Sequence, residues 1–234
     1  MYLKKLHIDH SLFPTKNFYP FNLKVLQQTL AIEFSTPVTF FAGENGSGKS
    51  TLLTAIAQKW DIHIWYKNEF SPLIPNKFAG LLYTCLKLEK TEDVPGAFFS
   101  AQSFKRYADL IDEWAVTDKS YLKYHGGEPL TTRSHGQINM QYFRNRFKIK
   151  GLYLLDEPEA ALSPKTQIEL LQIITEAVNN GNVQFIIATH SPILLGYHGS
   201  SIFDFNNIPI QLIPYQETDY YRIYKDFLLN REKI

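Results

Sequence analysis

Residues 38–57, VTFFAGENGSGKSTLLTAIA, constrain the fold more than any other stretch. They open with an apolar run at 38–42, of the kind a parallel strand buried on both faces needs. A turn of the form G-x-x-x-x-G-K-S follows, from Gly43 to Ser50, and then Leu52, Leu53 and Ile56 recur at helical spacing. Strand, glycine turn and helix come in the order of a loop that wraps a phosphate chain. Gly43, Gly46 and Gly48 let the turn point its backbone N–H groups inward at an anion. The helix that starts near Lys49 adds the positive end of its dipole. Lys49 is in reach of the β- and γ-phosphates, and the Ser50 hydroxyl can sit on Mg²⁺. The candidate nucleotide contacts are therefore Gly43, Glu44, Asn45, Gly46, Ser47, Gly48, Lys49, Ser50 and Thr51. The bland reading, a glycine turn with a chance lysine, leaves the flanking strand and helix unexplained.

The rest of the chain has to supply a sheet for that strand. With 234 residues, 44% of them hydrophobic and 20% charged, it can bury a large core as one domain. The net charge of +1 gives no field that favours nucleic acid or an anionic membrane, although a local basic face can hide in a neutral total. Cys85 is the only cysteine, so no internal disulfide forms, as suits a reducing cytoplasm. The start, MYLKKLHIDH, lacks the apolar stretch of a signal peptide, and no run approaches 18 apolar residues. A cytoplasmic protein with no transmembrane segment of its own is expected.

Periodicity places the other elements. Residues 2–8 alternate as an edge strand, 22–28 suit a short helix, and 30–34 suit a strand. The stretch 60–100 carries several prolines and apolar runs, and 78–89 reads equally as a strand or a helix start. Residues 104–114 have helical spacing, and 119–130, with Gly126-Gly127 and Pro129, read as a loop. GQINMQYFRNRF at 136–147 reads as a helix with a basic end formed by Arg144, Arg146 and Lys148. Ser163-Pro164 starts another, with Ser as N-cap, and Asn180-Gly181 ends it. Residues 183–188 are a buried strand, 201–214 a closing hairpin, and 217–230 a terminal helix. Apolar strands alternating with helices predict an α/β fold: a largely parallel sheet flanked by helices, with an antiparallel N-terminal part.

A second constellation stands at a strand end. Residues 152–155 are apolar and run into Asp156-Glu157-Pro158. Ligands gather at the carboxyl ends of strands in open α/β sheets. Asp156 is the expected Mg²⁺ partner opposite Ser50, and Glu157 is placed to orient or deprotonate an attacking water. Alternatively, the acids cap a solvated turn. His190 follows the strand at 183–188, where a neutral imidazole would reach a γ-phosphate or that water; it can equally be structural.

GENGSGKS (43–50), LLDEPEAALSP (154–164) and ATHSP (188–192) together resemble the ATP-binding cassette (ABC) ATPases. The likeness is strongest to small stand-alone bacterial ATPases, some labelled AAA-family, akin to the heads of SMC and DNA-repair ATPases. It covers most of the chain and implies a P-loop NTPase fold over residues 1–234, with a helical signature region at about 60–148. It also implies ATP and Mg²⁺ as ligands, and catalytic roles for Lys49, Glu157 and His190. The family's signature segment, which grips the γ-phosphate held by the other subunit, falls on Ser134, Gly136 and Gln137. His135 stands in place of a glycine and Arg133 in place of a leucine; the small-ATPase branch typically shows Ser-His-Gly. Read without the family, SHGQ is simply a helix cap. The resemblance implies that Gln102 is the metal- and water-contacting glutamine, joining Ser50 and Asp156 as a metal residue. It puts Ser163 where an intersubunit aspartate usually stands, and an adenine-stacking aromatic among Tyr2, Phe13, Phe18 and Tyr19.

The expected molecule is an ATPase that closes as a homodimer around two ATP molecules and acts on an unknown protein partner. Two other readings stay open. It is the nucleotide-binding subunit of an ABC transporter, or it is a DNA-associated or defence-system ATPase, with Arg144, Arg146, Lys148 and Lys150 as candidate phosphate contacts. Between Lys49 and Ser134 there are no heptads, so the long coiled-coil arm of an SMC protein is not expected.

Overall fold

The computed structural model describes residues 1–64, 76–125, 129–130 and 134–233; at 102–103, 105–108, 123–125 and 233 only the backbone is described. Arg133 and the Gly126-Gly127 pair lie outside the described residues. The chain runs β1 (Leu3–Ile8), α1 (Lys24–Gln28), β2 (Ala31–Glu33), β3 (Val38–Ala42), α2 (Lys49–Trp60), β4 (Leu86–Lys90) and β5 (Gly96–Ser100). There follow α3 (Ala101–Thr117), α4 (His135–Arg146), β6 (Gly151–Asp156), α5 (Pro164–Asn179) and β7 (Val183–Ala188). The chain then forms α6 (Pro192–Leu195), β8 (Ser201–Asp204), β9 (Gln211–Ile213) and α7 (Asp219–Leu229).

Two sheets result. β2-β1-β4 is a small antiparallel sheet, and β5-β6-β7-β3-β8-β9 is a large one in which only β9 runs antiparallel. The large sheet is covered on both faces, which is why its strands read as unbroken apolar runs. Strand alternation divides the runs between two cores. Phe41, Leu152, Leu154, Ile186 and Ala188 face the core shared with α2 and the small sheet. Val38, Phe40, Tyr153, Leu155, Phe185 and Ile187 face the core shared with α3, α4 and α5. Each fully buried Phe or Leu contributes roughly 1.5–3 kcal/mol. The helix of the glycine loop, α2, is thus clamped between sheets, with Leu52, Leu53, Ile56 and Ala57 almost wholly buried.

Gln184 interrupts the apolar run of β7 and is fully buried. Its side chain accepts from the backbone N–H groups of Tyr2 (2.7 Å) and Leu3 (2.8 Å) and donates to the Leu3 carbonyl (2.9 Å), so it ties the first strand to the large sheet.

The expected fold class holds, and the departures are local. The ambiguous stretch 78–89 becomes a 3-10 turn (Leu82–Cys85) leading into β4. Residues 119–125, expected as loop, form a 3-10 helix. β5 was hidden at the end of the proline-interrupted stretch and supplies the edge next to β6. The expected caps of α5 are present: Ser163 accepts from the Thr166 N–H, Pro164 is the first helical residue, and Asn180 is the C-cap. No helix among the described residues is long and apolar enough to cross a membrane.

Candidate nucleotide site

The register of three adjacent strands assembles the site. Ala188 of β7 is level with both Phe41 of β3 and Asp156 of β6. One residue past that level lies Glu157, and two residues past it lie Gly43 and His190. Three loops far apart in sequence therefore leave the same edge of the sheet side by side, at the carboxyl ends of its strands.

The glycine loop has the conformation its residues predict. Gly43 (φ 140°) and Gly48 (φ 105°) occupy backbone regions closed to other residues. At Gly43 a Cβ would also meet Phe205, Asn206 and Ser47 at 3.0–3.1 Å. Gly48 precedes α2, so the first amides of that helix open into the loop. The Ser47 hydroxyl is buried with no partner among the described residues. Buried Lys49 donates from Nζ to the carbonyls of Gly43 (2.6 Å) and Glu44 (2.9 Å). Burial lowers its pKa, against the upward pull of Glu157, Asp156, Glu44 and Glu159. A buried ammonium held by two carbonyls, an orphaned hydroxyl and free helix amides make a donor set that fits an anionic phosphate chain. Asn206 braces the loop from beyond β8 by accepting from the Glu44 N–H (2.8 Å).

Ser50 and Asp156 meet as expected: the hydroxyl donates to Asp156 Oδ1 at 2.7 Å. Burial, with Glu157 and Glu159 adding to it, pushes the Asp156 carboxyl up to about 6, against the lowering by the Ser50 hydrogen bond and Lys49. A buried carboxylate that is so poorly compensated, beside a hydroxyl, offers the hard oxygen donors that Mg²⁺ takes. The backbone of Gln102 is two residues past Ser100, which pairs level with Asp156, so Gln102 leaves the sheet on the same edge. Its side chain is outside the description.

Glu157 sits at φ 49°, ψ 53°, a left-handed conformation for a residue with a side chain, locked by its N–H donating to the Ala188 carbonyl (2.9 Å). That strained backbone brings Glu157 Oε1 to 3.4 Å from His190 Nε2. The contact becomes an ion pair when the imidazole is protonated; otherwise Nε2 is a buried atom with no hydrogen-bond partner among the described residues. Sequence reasoning missed two supports of His190. The Glu159 carboxylate accepts from the His190 N–H (2.7 Å) and the Thr189 hydroxyl (2.6 Å). Tyr220, in the first turn of α7, places its hydroxyl 2.5 Å from His190 Nδ1. The DEPE run signals Glu159, whereas nothing local distinguishes Tyr220 from the other thirteen tyrosines.

The signature candidates stand apart from this cluster. Ser134 and Gln137 cap each other at the start of α4: Ser134 Oγ accepts from the Gln137 N–H, and the Ser134 N–H donates to Gln137 Oε1 at 3.1 Å. These residues do cap the helix, and the exposed Ser134 stands at the mouth of a different cleft. That cleft, about 900 Å³, is lined by Ser134, Gly136 and Gln137 with Ala161, Ser163 and Thr166, and by none of the phosphate-loop residues. Gly136 is needed there, because a Cβ would lie 2.7 Å from the Ala161 carbonyl.

Of the aromatic candidates, Tyr2 is buried and Phe13 packs edge-on against Phe21. Phe18 stacks with Phe78. Tyr19 is exposed and its hydroxyl is 2.8 Å from that of Thr51, at a small cavity that also includes Ser50. The basic run is mostly spoken for. Arg144 meets Glu169 (3.4 Å), Arg146 donates to the Gly96 carbonyl (3.4 Å), and Lys150 pairs with Glu92.

Comparisons with known proteins bear on the same residues. A family model described as an AAA ATPase domain matches residues 101–195, and one described as an AAA domain matches 15–58. The tungstate uptake system ATP-binding protein TupC of Campylobacter jejuni is 24% identical over 86% of this chain and 67% of its own length. The nisin transport ATP-binding protein NisT of Lactococcus lactis is 26% identical over 64% of this chain, which spans only 28% of that protein. Among solved structures, an inward-facing transporter assigned to the metal-chelate ABC type superposes with a TM-score of 0.55 at 18% identity, covering 96% of this chain and 88% of the other. The SMC head domain of Thermotoga maritima superposes at 0.50 and 19% identity, covering 92% and 99%.

Proposed function

Because the chain has the P-loop NTPase fold of the ABC-type ATPases, we propose that it binds ATP with Mg²⁺ and hydrolyses it, as a homodimer whose two sites are each completed by the other subunit. The observation that carries this reading is the convergence, at one edge of β6-β7-β3, of the phosphate loop, the Ser50–Asp156 pair and the Glu157–His190 pair.

Each group has a definite task. The loop amides, the N-terminus of α2 and Lys49 bind the phosphates, with Lys49 exchanging its two carbonyl partners for phosphate oxygens. Ser50 and Asp156 would hold Mg²⁺, with Gln102, in the first turn of α3, as the third metal residue; the ion, when bound, offsets phosphate charge. Glu157 takes the proton of the attacking water and His190 positions it, so the rate comes from placement and electrostatics. Tyr19 is the adenine-stacking aromatic. Ser134, Gly136 and Gln137 face outward on their own cleft, where they serve the phosphate of the ATP bound by the partner subunit.

Glu157→Gln tests this. The variant should bind ATP normally and lose at least ~10²-fold in turnover, the usual scale for a general base. Light scattering should show it as a dimer in Mg-ATP and a monomer without. Normal turnover removes the role of Glu157, and a monomer under Mg-ATP removes the shared site.

One observation favours a second reading. Both curated relatives are ATP-binding proteins of uptake or transport systems. As the nucleotide-binding subunit of such a system, the protein would copurify from membranes with a transmembrane partner. For the DNA-associated reading, three of the four candidate basic residues already have partners within the chain.

A further inference from the structure

The phosphate loop, the histidine and the C-terminal helix are joined by a single hydroxyl. Tyr220 Oη donates to the Gly43 carbonyl at 2.8 Å and lies 2.5 Å from His190 Nδ1. A tyrosine has one proton to give. Were that proton turned toward the imidazole, the phenol oxygen and the Gly43 carbonyl would face each other at 2.8 Å as two acceptors. With the proton on the carbonyl side, the phenol oxygen accepts, and Nδ1 must carry the hydrogen. Burial and the surrounding carboxylates of Glu44, Asp204, Asp219 and Glu159 raise the phenol to about 12, so it keeps its proton. Three further contacts fix Tyr220 in place. Its ring meets the imidazole edge-on at 5.5 Å, Thr218 caps the helix it begins, and Asn206 donates to the neighbouring Asp219.

We propose that Tyr220 is a positioning residue that holds neutral His190 as the Nδ1–H tautomer, so that Nε2 is presented as an acceptor beside Glu157. Two acceptors, Nε2 and Glu157 Oε1, then converge 3.4 Å apart, and among the described residues Nε2 has no donor to satisfy it. A water molecule, with two O–H donors, is the species that satisfies both at once. One O–H points to Nε2 and the other to Glu157, which leaves an oxygen lone pair for the phosphorus. In the opposite tautomer Nε2 would carry the hydrogen and could not accept from that water. The direction of one tyrosine hydroxyl thus decides whether Nε2 is available to hold the water beside the Glu157 carboxylate.

This assignment rests on the ATPase reading, and the two fail separately. The test uses Tyr220→Phe, which keeps the ring against His190 and removes only the hydroxyl. In ¹⁵N-labelled protein without nucleotide, the His190 ring signals are identified by their loss in His190→Ala. The wild type should show a protonated Nδ1, and Tyr220→Phe should show protonation shifted to Nε2, the nitrogen a free neutral imidazole prefers. With ATP, kcat should fall about 10-fold or more, a fraction of the general-base effect, while KM changes by less than about 3-fold. A wild type with protonated Nε2, or an unchanged tautomer in the variant, overturns the proposal. So does an unchanged kcat in a variant whose wild-type parent turns over. A wild type that shows the Nδ1–H tautomer but hydrolyses no ATP refutes the enzymatic reading instead. A merely structural tyrosine would lower the melting temperature and leave the tautomer alone.

Discussion

Asp156→Asn should make the nucleotide-free protein more stable, although it removes a residue assigned to the metal. The reason is the state of that carboxyl in the fold. Its ordinary value is 3.8, and burial pushes it up to about 6, a gap of about two pH units. At 1.36 kcal/mol per unit, the folded state bears about 3 kcal/mol for keeping this group ionised at neutral pH. The sign follows from the raised value. The folded state binds the proton more tightly than the unfolded chain does, so the group's stabilising contribution is complete below pH ~4 and lost as pH rises through about 6. The substituted amide does not titrate, yet it keeps an oxygen for the Ser50 hydroxyl to donate to. Urea unfolding in EDTA between pH ~4 and ~7.5 should therefore show the variant gaining on the wild type by about 3 kcal/mol, nearly all of it between pH ~4 and ~6.5. At pH ~7.5 this corresponds to a melting temperature higher by about 6–12 °C for a domain of this size. Mg-ATP should then raise the wild type far more than the variant, because only the wild type offers a carboxylate to the ion. A difference that is flat across this pH range, or one in which the wild type gains as pH rises, refutes the assignment of the strain to Asp156.

Other outcomes follow from single contacts. Gly136→Ala places a Cβ 2.7 Å from the Ala161 carbonyl, a backbone atom that no rotamer change can move. The α4 start should shift, at a cost of about 1–2 kcal/mol in urea unfolding, and an unchanged midpoint would show that the two segments are not in contact. Tyr19→Ala should weaken ATP about 5- to 100-fold in a fluorescent-nucleotide titration, the value of one base–aromatic stack, with Tyr19→Phe close to wild type; equal loss in both variants would assign the effect to the Thr51 contact rather than to stacking. Duplex DNA at low salt should leave the ATPase rate unchanged, since Arg144, Arg146 and Lys150 are engaged within the chain; a stimulation that high salt abolishes would restore the nucleic-acid reading.

What the sequence made legible was local or periodic. The phosphate loop is readable because three glycines at positive φ and one lysine are a short-range requirement of the structure itself. β3, β6 and β7 are readable because burial on both faces leaves little room for polar residues, and Gln184, the exception, is explained by its three bonds to Tyr2 and Leu3. Asp156, Glu157 and His190 are readable because they stand where apolar runs stop. The neighbours of each strand were not legible. Nothing in the 38–42 run says that it lies between β7 and β8, and the site depends on that order. β5 escaped because it follows Pro95 closely and spans only five residues, too few to show a period. Tyr220 escaped because its partners, Gly43 and His190, are 177 and 30 residues away.

The placement of those distant partners bears on how the site responds to its ligand. Three separate segments of the second half of the chain hold the phosphate loop: Asp156 through Ser50, Asn206 through the Glu44 N–H, and Tyr220 through the Gly43 carbonyl. The Gly43 carbonyl accepts from both Lys49 and Tyr220. When phosphate draws Lys49 away, Tyr220 becomes the remaining donor to that carbonyl, and its hydrogen bond should strengthen rather than break. The phenol oxygen of Tyr220 in turn accepts from His190, so nucleotide binding should fix the imidazole more firmly and not release it. Apo and ATP-bound protein should then show the same His190 tautomer, with slower exchange of its Nδ1 proton in the bound state. A switch of tautomer on ATP binding would mean that Tyr220 follows the imidazole instead of directing it.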